Sequence, residues 1–454
     1  MLSAFDPDLE YPCCSDVSNR SSINRSTGFN KLMHMVINAQ HFSLEEIEEY
    51  IQSNPDELEA ENDGGYTPLL LACCNSSTSS SDSVVRLLIN AKANVERTGI
   101  INQTPLLASC SRLGTDSSLG SDSLSSGHSL GSGSNLEAVR LLIEAGVDVN
   151  RGGRRGRTAL YMCCGSVHPN SHVAAQLLIE AGADVNQADD EGITPLINTC
   201  FRFRDASSID TVRMLIAAGA DVNRFCEDGS TAMYNVAGFS NDRSLDIVKA
   251  LIAAGADVNI ADNTDTTPLI RSCSGLGSHM PTSNVETVIA LIAAGADVNA
   301  QNEEGLTALE EACYGASSDD CVTAVRALIR AGADVNVLID GTETAFDLCI
   351  GGYMGIAKAV SPIQEQVLEL LLQGGAVITK FKSDGTERFN TSTIYSLDVY
   401  RFLKMHRPLA TITSKQVGRA IWKDVQQIES EYAKWTQLFK QSVLPQVLGH
   451  TRSD

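Results

Sequence analysis

One phrase recurs along this chain at a nearly fixed step, and that step limits what the chain can fold into. It is clearest from Leu245 to Cys273, LDIVKALIAAGADVNIADNTDTTPLIRSC. Ile247, Val248, Leu251 and Ile252 have the spacing of one buried helical stripe. Gly255 follows, where a helix can stop in the left-handed conformation. An acidic turn then leads to Thr267-Pro268-Leu269, a helix start, because the N–H that proline lacks is unpaired in a first turn anyway. The right-hand half of the phrase ends at Asn150, Asn186, Asn223, Asn259, Asn299 and Asn336, in steps of 36 to 40 residues. Its left-hand half starts at Thr67, Thr104, Thr158, Thr194, Thr231, Thr267, Thr307 and Thr344. Two linked motifs recurring in register predict a stack of two-helix units sharing one continuous core.

The segments TPLLLACC from Thr67, TPLLASC from Thr104, TPLINTC from Thr194 and TPLIRSC from Thr267, with the repeated GADVN turns, resemble ankyrin repeats. The resemblance spans about 31–379. It implies an all-α ankyrin-repeat solenoid of about nine units, each a helix–turn–helix plus a β-hairpin finger. The organisation expected is a disordered segment 1–27, a degenerate capping repeat 28–62, the array 63–379, a connector 380–392 and a helical segment 393–454. Ser43 to Glu46 reads as a capping box within the first unit. The chain departs from the family signature in two respects. Its histidine is replaced by Leu70, Leu107, Tyr161, Ile197, Tyr234, Ile270, Glu310 and Asp347, and Asn198, Asn235, Arg271 and Glu311 fill a slot that is usually apolar.

The units are longer than the family's 33 residues. The excess lies between the two helices, at Asn75–Asp82, Ser166–Ser171, Arg202–Ser208, Ser240–Arg243, Gly275–Ser283 and Ser317–Asp320, with a Ser/Gly-rich insertion over 113–134. Lengthening a surface loop costs only about 0.6 kcal/mol per doubling. These stretches read as loop growth, or as a docking or phosphorylatable lobe around Ser117 and Ser121.

Charge is distributed unevenly. The chain has 34 Lys and Arg against 56 Asp and Glu, a net charge of −22. Residues 380–454 hold 12 basic and 7 acidic side chains, which leaves 22 against 49 in the rest. So acidic a body argues against nucleic acid, whose phosphates call for clustered Lys and Arg. No apolar run approaches the ~18 residues of a membrane span, and no signal-peptide core is seen. Cys73, Cys110, Cys164, Cys200, Cys273 and Cys313 share the last slot of the T-P-L motif, where a thiol packs as a small hydrophobe. Unpaired core thiols fit a reducing, cytoplasmic setting.

No catalytic motif stands out: H-E-x-x-H and the phosphate-binding loop are both missing. His168 and His172 lack a third ligand nearby, so no metal site or cofactor is expected. The resemblance implies instead a concave face where finger tips and inner-helix ends hold a protein partner. By motif position the contacts are Asp190, Glu191 and Ile193 on one finger, Glu303, Glu304 and Leu306 on another, and Arg151, Arg154, Arg155 and Arg157 on a third. Phe201, Arg202, Phe239 and Tyr314 stand at the inner-helix ends. The arginines either pair with neighbouring acidic fingers or anchor a carboxylate or phosphate. A near-heptad stripe from Val417 to Phe439, with Trp422 and Trp435, makes the end of the chain a cap on the last repeats or a partner contact. A monomer is expected, with 413–444 as the place for a dimer. The overall expectation is a non-catalytic interaction scaffold. The alternatives are an adaptor whose tail recruits machinery such as a ubiquitin ligase, or a host-interacting effector or viral protein.

Overall fold

The computed structural model describes residues 28–376 except 75–78, 100–101, 112–133, 167–168, 202–206, 240–241, 275, 277–284, 315, 340–343 and 352–360. The segment 1–27, nearly all of the 113–134 insertion, Arg202, the connector 380–392 and the segment 393–454 lie outside the described residues. The chain divides into two compact units, residues 1–236 with 250–256, and residues 237–249 with 257–454.

In the first unit short inner helices alternate with longer outer ones. They are α1 (Lys31–Ile37), α2 (Leu44–Ser53), α3 (Pro68–Cys74), α4 (Ser79–Asn90), α5 (Pro105–Ser111), α6 (Ser134–Glu144), α7 (Ala159–Cys164), α8 (Pro169–Glu180), α9 (Pro195–Phe201) and α10 (Ser207–Ala217). α11 (Ala232–Ala237) and α12 (Asp242–Ala253) contribute residues to both units. The second unit continues with α13 (Pro268–Ser274), α14 (Val285–Ala293), α15 (Ala308–Cys313), α16 (Asp319–Arg330), α17 (Ala345–Gly351) and α18 (Pro362–Gln373). Inner helices pack on inner helices and outer on outer: α3 on α5 on α7 on α9, and α4 on α6 on α8 on α10. Within the second unit α13 packs on α15 on α17, and α14 on α16 on α18.

The motif residues explain this regularity. Thr67, Thr104, Thr158, Thr194, Thr231 and Thr267 each turn a hydroxyl to the backbone N–H three residues on, capping the inner helix. Ser43 and Glu46 form the capping box of α2. The glycines after the outer helices, such as Gly182 (φ 90°) and Gly255 (φ 84°), hold the left-handed stop that a side chain would strain. The outer helices start earlier than the sequence suggests. Ser134, Pro169, Ser207, Asp242 and Asp319 already lie in helices, inside stretches expected to be loop. Those Ser and Asp residues are caps and first turns: Ser318 accepts from the Cys321 N–H, and Asp319 and Asp320 suit the positive end of α16.

All eleven described cysteines are free and buried. Burial pushes the thiols of Cys73, Cys164, Cys200 and Cys349 up to about 12, so they stay protonated and unreactive in the native state. The buried slots that replace the signature histidine are apolar in most units, as with Leu70, Leu107, Ile197 and Ile270. Asn198, in the neighbouring slot, is also buried and donates to the Tyr161 carbonyl of the preceding unit at 2.9 Å.

The turns between units are tied by asparagine. Asn186 Oδ1 accepts from the Asp221 amide at 2.7 Å and its Nδ2 donates to the Gly219 carbonyl at 3.1 Å. Asn150 makes the same pair with Asp184 and Gly182, as do Asn259 with Asp297 and Gly295, and Asn299 with Asp334 and Gly332. In the early units Glu59 and Glu96 stand in, accepting from Asn94 and Asp148. Asn186→Ala removes both bonds at once. It is expected to lower stability by about 1–2 kcal/mol, read as a shift of the urea midpoint.

Asp82, near the start of α4, has one carboxylate oxygen buried without a hydrogen-bond partner among the described residues. Partial burial, and then the charge of Glu137, push its carboxyl up to about 7, although Glu137 is itself paired with Arg86 at 2.7 Å. A carboxyl with a folded pKa above its unfolded value favours the fold in its protonated form. That stability is complete below the unfolded pKa and is lost as pH rises through about 7. The urea midpoint should therefore be higher at about pH 5.5 than at about pH 8, and Asp82→Asn should shrink the difference.

Candidate partner-binding surface

The fingers carry most of the candidate contacts, and their geometry follows from side chains that fold back on their own loops. Asp189 Oδ1 accepts from the Glu191 and Ile193 amides, both at 3.0 Å, and Asn62, Asp262 and Asn302 close their fingers in the same way. In the finger that starts at Cys226 the thiol occupies this slot. Asp228 takes over, accepting from the Ser230 amide at 2.9 Å and from the Cys226 thiol. Among the described residues the fingers form no extended strand, only isolated bridge positions, Phe225 paired with Thr231 and a further one at Ile339. Adjacent tips are linked by single backbone bonds, Asp190 N to Arg155 O at 2.9 Å and Glu227 N to Glu191 O at 3.0 Å in the first unit. Glu303 N to Thr264 O at 3.0 Å is the counterpart in the second.

The four arginines lie on a glycine-rich finger. Arg155 takes a positive φ of 58°, and a side chain on Gly153 would run into Leu107 of α5. Three of the four are engaged by acids. Arg157 bonds to the buried Asp189 carboxylate at 3.2 Å and lies over the Tyr161 ring, 5.3 Å from its centre. Arg151 meets Glu96 at 3.1 Å, and Arg155 meets Glu191 at 3.5 Å. Arg154 is exposed and forms no ion pair among the described residues. Asp190 and Glu191 are exposed, whereas Ile193 is half-buried against its own turn.

At the inner-helix ends Phe201 is 55% exposed, while Arg202 lies outside the described residues. Phe225 is 64% exposed, the largest value among the exposed bulky apolar residues described. Sequence reasoning passed over it. The signal was available in register, since the same finger position holds Glu61, Ala188, Ala261 and Gln301 elsewhere. Asp189, the buried pivot for Arg157, was passed over as well.

In the second unit Glu303 and Glu304 are exposed, Leu306 and Phe239 are half-buried, and Tyr314 is 37% exposed at the end of α15. Glu311, half-buried on the same helix, has its proton affinity raised by burial, then by Glu304 and Glu310. His172 lies in α8 and approaches the Thr211 hydroxyl at 3.2 Å, and His168 is outside the described residues. Among the described residues no group of three or more His, Cys, Asp or Glu is placed to hold a metal.

Helix pairs stacked layer on layer, joined by turn-closed fingers, define a repeat protein of the ankyrin type. The family model described as ankyrin repeats (3 copies) matches residues 128–226, 167–262 and 235–339, and that for the single ankyrin repeat matches residues 64–100. Together these matches cover more than half of the chain, and the protein belongs to the ankyrin repeat family. No curated protein matches the chain. Ankyrin repeats form a protein–protein interaction domain, and proteins of this family are generally non-catalytic. No helix among the described residues is long and apolar enough to cross a membrane.

Proposed function

We propose that the chain is a non-catalytic interaction scaffold that holds a protein partner at the finger tips and inner-helix ends of its first unit. The observation that carries this reading is the exposure of Phe201 and Phe225, which exceeds that of Phe42 (37%) and Leu44 (40%), the other exposed bulky apolar residues described in that unit. Interface hot spots favour aromatics and arginine, surrounded by contacts that exclude water. Arg154 supplies an exposed guanidinium, and Asp190 with Glu191 supplies a polar rim. Arg151, Arg155 and Arg157 act mainly by fixing the finger, since each already has an acidic partner. Glu303, Glu304, Leu306, Tyr314 and Phe239 form a second candidate set on the other unit.

The test places a photo-reactive side chain at position 201 or 225 of the full chain, in cells of the organism that encodes it. Cross-links to a recurrent partner from both positions, with none from position 213 on the outer helix α10, are expected. Capture from position 213 alone would reject the assignment.

A further inference from the structure

A carboxyl group inside the second unit is short of partners. Glu310 stands on α15 in the slot that Leu70, Leu107, Ile197 and Ile270 fill with apolar side chains, and it is fully buried. Its Oε2 accepts from the Thr307 amide at 3.0 Å and from the Thr307 hydroxyl, completing the capping box of α15. Oε1 is buried and has no hydrogen-bond partner among the described residues. Asp347, in the same slot on α17, holds Thr344 in the same way but is only half-buried. A carboxyl buried without its full set of hydrogen bonds is costly when charged and far less so when protonated.

The surroundings offer Glu310 no counter-charge. Its helix packs against α13, α16 and α17. On α13 the charged residue is Arg271, which lays its side chain against Gly238, where a Cβ would come within 2.8 Å of its Nε. On α16 Asp319, Arg326 and Arg330 are exposed and Asp320 is half-buried, and α17 brings Asp347. Glu311 on α15 itself and Asp334 in the turn after α16 are further acids. Among the described residues Glu310 forms no ion pair. Burial raises its proton affinity; the Thr307 bonds oppose this, and the charge of Asp334 adds to it.

We propose that Glu310 is a proton latch in the second unit. Protonated, it lets the layer of α13, α15 and α17 close around it. Ionised, it draws water to Oε1 and loosens α15 together with the finger that leads into it. That finger carries Glu303, Glu304 and Leu306 and runs straight into Thr307, the residue that holds Oε2. Loss of the proton therefore acts on the second candidate contact set. A carboxyl whose proton affinity is higher in the folded chain stabilises the fold fully below the ordinary carboxyl range. That stability is lost as pH rises through the folded value, so the latch closes in acid and opens in base. This inference does not depend on the role given to the first unit.

The test is native-state hydrogen exchange on the full chain between about pH 5 and about pH 8, read as protection factors for the amides of α15 and of the finger before it. Protection factors are compared because the intrinsic exchange rate itself changes with pH. Protection is expected to fall by at least about tenfold across that range, since each pH unit over which the closed form keeps a proton that the open form has lost is worth up to about tenfold. Glu310→Gln cannot ionise, and Glu310→Leu restores the residue type of Leu70; both should leave protection flat. Glu311→Gln should keep most of the slope, and so should Asp82→Asn, which addresses the pH dependence of the first unit. Protection that does not change with pH in the unaltered chain, a slope that survives in both Glu310 variants, or one abolished by Glu311→Gln or Asp82→Asn would overturn the proposal.

Discussion

Leu178→Ala is expected to destabilise the first unit by about 2–5 kcal/mol, among the largest effects of any single substitution here. Leu178 is fully buried on α8, which packs against α6, α7 and α10, so the cavity opens where two outer-helix contacts and one inner-helix contact meet. In a stacked array each unit leans on its neighbours, so the loss spreads beyond α8. Urea unfolding followed by circular dichroism measures it. Hydrogen exchange on the same variant should show faster exchange in α6 and α10 as well as in α8. Ile289→Ala on α14 is the matched control. That side chain is 41% exposed, and the change is expected to stay within about 0.5 kcal/mol. Equal costs for the two variants would mean that the packed layer does not carry the fold.

The second large effect falls on binding. Arg154→Glu with Phe225→Ala removes one exposed guanidinium and, among the described residues, the most exposed bulky apolar side chain, while leaving the Arg157–Asp189 pair intact. Truncating a hot spot costs about 2 kcal/mol or more, so affinity for a partner cross-linked at position 225 is expected to fall by at least about 30-fold. The urea midpoint should change little, because neither side chain is buried. Isothermal calorimetry with the purified partner measures the fall. A change under threefold would show that the finger tip lies outside the interface.

Most of the fold is readable from the phrase itself. The Thr-Pro start, the apolar stripe and the Gly stop are local signals, and each appears where its residues stand, from the Thr267 cap to Gly255. The outer-helix starts were harder to place. Ser and Asp favour both loops and helix caps, and only the tertiary stack decides between them at Ser318 and Asp319. The candidate surface was less legible. Finger membership follows from register, so Asp190 and Glu303 could be named, but register does not say which arginine finds an acid. That depends on contacts between units, such as Arg157 with Asp189, 32 positions apart. Phe225 was visible in principle, as an aromatic ring at a position that holds Glu, Ala or Gln in other fingers. The uncompensated carboxylate of Glu310 was not visible, because it depends on how deeply α15 is buried.

The most direct test of the scaffold reading compares three full-length proteins as baits in extracts of the encoding organism. They are the unaltered chain, the Arg154→Glu, Phe225→Ala variant, and an outer-face variant, Arg213→Glu on α10. Quantitative mass spectrometry reads what each retains. The account predicts that the unaltered and outer-face baits hold the same partner, and that the finger variant loses it. Equal retention by all three, or loss only from the outer-face bait, would contradict it.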